Sequence, residues 1–161
     1  LESDLKNFGE GHPHIAIRYN NLGLAWNNKG HHDKAIEYCG KSLARNLSTY
    51  GERHPRVASD LNNLAGAWQD KGYLGRAIGY YEQALDSLLA IFGEQHPLVA
   101  HSRNNLGSAL RDNGDLDEAI CCFKQAKEVL EKMLGPTHPN TIIVAGNLVD
   151  ALDRKSKSQN S

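Results

Sequence analysis

His54–Gln95 reads HPRVASDLNNLAGAWQDKGYLGRAIGYYEQALDSLLAIFGEQ. From Pro55 the apolar residues fall at Val57, Ala58, Leu61, Leu64, Ala65 and Trp68, a spacing that gathers them on one face of a helix. The pattern stops at Lys71-Gly72, a basic last turn followed by the residue that takes a left-handed conformation at little cost. A second helical pattern runs through Leu74, Ala77, Ile78, Tyr81, Leu85, Leu88, Leu89 and Phe92 and ends at Gly93. The stretch therefore predicts two antiparallel helices, each of about 17 residues, joined by a tight turn.

The chain repeats this unit. FGEGHP, YGERHP, FGEQHP and LGPTHP end at Pro13, Pro55, Pro97 and Pro139, with successive prolines 42 residues apart. A period held without insertion or deletion marks a structural unit stacked on copies of itself. Proline is favoured in the first turn of a helix, where its missing N–H costs nothing. The segment before each proline is thus an inter-repeat turn, and His12, His54, His96 and His138 sit at or beside helix N-caps. Copies one repeat apart lie along a ridge and do not converge on an ion, and His14, His31 and His32 have no partner at ligand spacing. No metal or cofactor is expected.

Small residues recur at fixed offsets: Gly23, Ala65 and Gly107; Ala35, Ala77 and Ala119; Ser42, Ala84 and Ala126. Large ones recur beside them: Leu22, Leu64, Leu106 and Leu148; Trp26, Trp68, Leu110 and Leu152. Small against large is the packing pattern of an all-α solenoid whose units bury their faces only against neighbours. The register gives one domain over 1–155. It comprises a half repeat (1–12), full repeats (13–54, 55–96, 97–138) and a closing helix (139–155), followed by a disordered tail (156–161).

Composition narrows the function classes. Eighteen basic and 19 acidic residues give a net charge of −1, which supplies no field for nucleic acid or an anionic membrane. Cys39, Cys121 and Cys122 form neither a CxxC nor an even disulfide set and suit a reducing, cytoplasmic compartment. Asn46-Leu47-Ser48 fits a glycosylation sequon, read as chance in the absence of a signal peptide. No apolar run approaches the ~18 residues that span a bilayer. There is no phosphate-cradling glycine loop, GxSxG or HExxH, and acids such as Glu37, Asp70 and Glu82 scatter over helix surfaces. An enzyme is not expected.

The spacing of Leu64, Ala65, Trp68, Gly72, Ala77, Tyr81 and Ala84 resembles the tetratricopeptide repeat, here extended from its usual 34 residues. The longer period with GxxHPxVAxxxNNLA is similar to the repeats of kinesin light chains, most closely at Gly93–Ala119. No heptad coiled-coil segment stands in the sequence, so the block looks like the small bacterial kinesin light chains. The resemblance implies a right-handed solenoid of helical hairpins that binds a protein or linear peptide. It also implies a second candidate partner, a bacterial tubulin filament, bound through a surface other than the groove.

In this family the first helix of each pair lines a concave groove. The positions this implies are Ile17, Ser59, His101 and Ile143; Asn20, Asn62 and Asn104; Asn21, Asn63, Asn105 and Asn147; Gly66 and Ser108; and Gln69, Asp70, Arg111 and Asp112. An Asn amide carries donors and an acceptor together and can grip the backbone of an extended peptide. Asn20, Asn62, Asn63, His101, Asn104, Asn105, Ser108 and Arg111 are the expected binding residues, and the alternative for the second Asn of each pair is a bond to the neighbouring helix. A clamp for a partner's terminal carboxylate would need cations where Asn20, Leu24, His101 and Asn105 stand. Vicinal Cys121-Cys122 reads as packing plus exposure. Finally, Ile142-Ile143-Val144 is more apolar than Ala16-Ile17-Arg18, Ala58-Ser59-Asp60 or Ala100-His101-Ser102. Apolar excess at an open end marks a contact, so Ile143 and Val144 are expected to touch a second copy or the partner.

Overall fold

The computed structural model describes residues 13–159; the half repeat expected over 1–12 lies outside them. Among the described residues there are seven helices and no strand. They are α1 (Pro13–Asn28), α2 (His32–Tyr50), α3 (Pro55–Asp70), α4 (Leu74–Phe92), α5 (Pro97–Asn113), α6 (Leu116–Leu134) and α7 (Pro139–Gln159). No helix among them is long and apolar enough to cross a membrane.

The histidine–proline segments start helices as expected. Nδ1 of His54 accepts the backbone N–H of Arg56 at 3.2 Å, and His96 does the same for Leu98 at 3.1 Å. His138 accepts from Asn140 at 3.2 Å. Each bond satisfies one of the amides left open at a helix start. The aromatic residue that opens the hexapeptide lies on the same ring: Tyr50 stacks on His54 at 4.2 Å and Phe92 on His96 at 4.1 Å between centroids. At the other end, the first helices of the hairpins close alike. His31, Tyr73 and Asp115 donate their N–H to the carbonyls of Trp26, Trp68 and Leu110. Gly30, Gly72 and Gly114 supply the positive φ (77°, 88°, 96°) that this closure needs.

The packing falls into two compact units that divide between Ser87 and Leu88. In the first, α1 packs on α2, α2 on α3, and α1 touches α3. Val57, Leu61 and Ala84 form a core cluster there with Leu43, Leu47 and Tyr80 against it. In the second, α5 packs on α6, α6 on α7, and α5 touches α7. Its core gathers Ala100, Ala119, Ile120, Phe123, Ala126, Val129, Leu130, Val144 and Ala151. Burying a ring such as Phe123 is worth roughly 1.5–3 kcal/mol, and the ring reaches that depth because Gly107 faces it. A Cβ added to Gly107 would stand 2.8 Å from Phe123 Cε1.

The same ion pair recurs 84 residues on, Lys71 with Asp33 in the first unit and Lys155 with Asp117 in the second. α7 departs from the sequence expectation of a closing helix ending at 155 and a disordered tail from 156. It continues to Gln159, and pairs one turn apart support the added turn: Arg154 with Asp150 (3.1 Å) and Lys157 with Asp153 (2.6 Å).

Candidate partner-binding site

The residues expected to meet a partner lie on α1, α3, α5 and α7. In the first unit Ile17 and Ser59 are exposed, while Asn20, Asn62 and Asn63 are half-buried. Asn63 Nδ2 donates to Asn20 Oδ1 at 2.8 Å, tying α3 to α1. Asn62 Nδ2 donates to the carbonyl of Ala58 on its own helix at 3.0 Å. In the second unit Asn147 Nδ2 donates to Asn104 Oδ1 at 2.9 Å, tying α7 to α5. Asn105 and Ser108 are half-buried. The ladder expected to grip a peptide is therefore partly spent on spacing the helices, at Asn104 as well as at Asn63. Each bridging amide keeps further donor or acceptor capacity.

His101 Nε2 lies 3.2 Å from Asn140 Nδ2. Burial, then the nearby His138, hold its pKa below the ordinary 6.5, so the ring favours the neutral form that accepts from the amide. Arg111 reaches Asp150 of α7 (3.3 Å) and Asp112 (3.1 Å), with its side chain 17% exposed. Its charge is balanced within the protein, and it acts first as a tie between α5 and α7.

The closing helix corrects one expectation. Val144 is 2% exposed and belongs to the second unit's core, so it cannot touch a partner. Ile143 is 56% exposed, and the other exposed apolar residues of α7 are Ile142, Val149 and Leu152. Among the remaining sequence readings, Cys39, Tyr81 and Phe123 are core residues. All three cysteines are free thiols, and burial, then Asp60, push the Cys39 thiol up to about 11. Asn46, the sequon asparagine, is buried and donates to Asp60 at 2.6 Å.

Sequence reasoning missed an open hollow of about 100 Å³ in the first unit, lined by Ile17, Asn20, Ser42, Asn46, Arg56, Ser59 and Asp60. Its signal was present. Ser42, Asn46 and Asp60 stand where Ala126, Leu130 and Val144 stand 84 residues later.

The tetratricopeptide repeat pattern matches residues 14–90, 69–132 and 102–160, and the chain belongs to that family. No curated protein matches it in sequence. Among solved structures it is similar to a Podosopora anserina kinesin light chain of nearly identical TPR-like repeats. That match has a TM-score of 0.80 and 23% identity over 99% of this chain and 75% of that one. BtubC (BKLC) from P. vanneervenii superposes at 0.72 with 27% identity, over 92% of this chain and 65% of that one. The apo form of RapI superposes at 0.80 with 18% identity, over 99% and 54%. The low identities to the first and third show a shared fold.

Proposed function

We propose that the chain is a non-enzymatic interaction scaffold that holds an extended peptide or protein segment against the first-helix faces. The observation that carries this reading is the set of half-buried amides that each unit by itself presents on its first helices. Asn20, Asn62, Asn63, Asn104 and Asn105 offer hydrogen bonds to a peptide backbone without regard to its sequence. His101, Ser108 and Arg111 add polar contacts beside them. Panning a random peptide library on the chain should enrich extended binders whose addition shifts the NMR signals of Asn62 and Asn105. Binders that move only signals on α2 and α6 would overturn the reading. Asn104→Ala should weaken such a peptide by roughly 1 kcal/mol, the worth of one hydrogen bond whose mate is left buried. A sharp fall in melting temperature with unchanged affinity would make Asn104 purely a helix tie.

A second reading has its own support in the 27% identity to BtubC (BKLC). Here the chain is a cytoplasmic filament-associated protein that binds tubulin-like polymers outside the groove. Co-sedimentation with bacterial tubulin filaments, undiminished by a groove-binding peptide, is the expected result. A chain that stays in the supernatant at all filament concentrations rejects it.

A further inference from the structure

Three polar side chains are buried between α2 and α3 where the fold has no need of them. Ser42, Asn46 and Asp60 are 0%, 5% and 2% exposed. Ser42 Oγ lies 2.9 Å from Asp60 Oδ1 and 2.9 Å from the carbonyl of Ala16, so its one proton is shared. Asn46 Nδ2 donates to Asp60 Oδ2 at 2.6 Å. In the second unit the same places hold Ala126, Leu130 and Val144, at 0%, 0% and 2% exposure, in continuous apolar core. An apolar trio thus serves the packing. Replacing buried charged groups by well-packed apolar ones is often neutral or stabilising, so Asp60 is a cost to the fold.

The carboxylate has somewhere to act. With Ser42 and Asn46 it lines the open hollow of about 100 Å³, whose other walls are Ile17, Asn20, Arg56 and Ser59 from α1 and α3. That volume is about the share of three waters. A carboxylate accepts at about four sites, and Ser42 and Asn46 occupy two of them. Among the described residues no cation makes an ion-pair contact with Asp60, and Arg56 acts on it only at longer range. Ile17, 40% exposed, supplies an apolar wall beside a buried acceptor. A ligand with a hydrocarbon stem and a compact, donor-only cationic tip matches this arrangement. Lysine fits, with three rotatable donors on a point charge, better than arginine, whose flat fork needs acceptors arranged to receive it.

We propose that the hollow is a pocket for a lysine side chain of the bound segment, its ammonium held by Asp60 between α1 and α3. This rests on the reading that the first-helix faces hold the partner. Arg56, one turn before Asp60, sets the entry condition. Its guanidinium lies 5.6 Å from the Tyr50 ring centroid and its charge also acts on the Asp60 carboxylate, so an incoming ammonium competes with it.

The test titrates the intact chain with Nα-acetyl-lysine N-methylamide, read by NMR at the Asn46 side-chain amide and at Ser59. The norleucine and glutamate counterparts serve as controls. The lysine compound should shift these signals saturably and the norleucine compound should not. Asp60→Asn should abolish the shift with helical circular dichroism retained. Arg56→Gln, at an exposed position that leaves the core intact, should tighten lysine binding several-fold. Equal response to lysine and norleucine overturns the proposal. So does a glutamate response that Arg56→Gln weakens, which would make the hollow an anion site. Peptides that bind the first-helix faces while the lysine compound leaves Asn46 unmoved would sink the pocket alone. Failure of all peptides would sink the scaffold reading itself.

Discussion

Thr141 is 1% exposed, and its hydroxyl has no hydrogen-bond partner. Val99 and Val57 fill the matching places one and two repeats earlier, at 0% and 1% exposure. A buried hydroxyl without a partner costs about 1–3 kcal/mol, and valine has nearly the same shape. Thr141→Val is therefore expected to raise the urea midpoint by an amount worth about 1 kcal/mol, with unchanged slope. His101 carries a different prediction. Its folded-state pKa lies below the ordinary 6.5, through burial and then His138, so the unfolded chain binds the proton more readily. The stability this neutral ring contributes is complete above about pH 6.5 and is lost as pH falls through the folded-state value. The drop in urea midpoint between pH 7.5 and 5.5 should shrink in His101→Gln. An unchanged drop would place the pH sensitivity in other groups.

Within the helices, glycines of two kinds lead to opposite outcomes for one substitution. Glycine inside a helix costs about 1 kcal/mol relative to alanine. At Gly66 an added Cβ would make an ordinary contact, 3.5 Å from Tyr81 Oη, so Gly66→Ala should stabilise by about 0.5–1 kcal/mol. At Gly107 the added Cβ meets the fully buried Phe123 ring at 2.8 Å. Overpacking of that kind costs about 1–3 kcal/mol, and Gly107→Ala should lower the melting temperature. Matching shifts for the two variants would show that the ring moves freely. The repeat period and the glycine and proline marks located the helices to within a residue or so, because backbone geometry alone decides them. Two features were not legible. Ile142, Ile143 and Val144 are consecutive, so helical geometry turns each about 100° from the last; the apolar run cannot share a face, and Val144 goes inward. The final turn of α7 looked like a polar tail by composition, while its support comes from the one-turn spacing of Asp150, Asp153, Arg154 and Lys157. For the asparagines, the choice between a helix tie and a ligand contact depends on the distance between first helices. The residues do not encode that distance locally.

At the scale of the whole molecule, the unit of 42 residues recurs with its turns unchanged and its fillings varied. The variation carries the candidate function: amides persist along the first helices, and one interface exchanges an apolar trio for a carboxylate network. The same variation gives the protein a built-in optical asymmetry. Its two tryptophans, Trp26 and Trp68, close α1 and α3 in the first unit, while Leu110 and Leu152 stand in the corresponding places of the second. Intrinsic emission therefore reports on one unit only, whereas far-ultraviolet ellipticity sums the helices of both. The reporting unit buries Ser42, Asn46 and Asp60, and the silent one buries Ala126, Leu130 and Val144. In a urea titration the emission change is expected at lower denaturant than the loss of ellipticity, and Asp60→Val paired with Asn46→Leu should close the gap. Superimposable curves for the unaltered chain would instead show one cooperative transition, with each tryptophan then a witness for every helix.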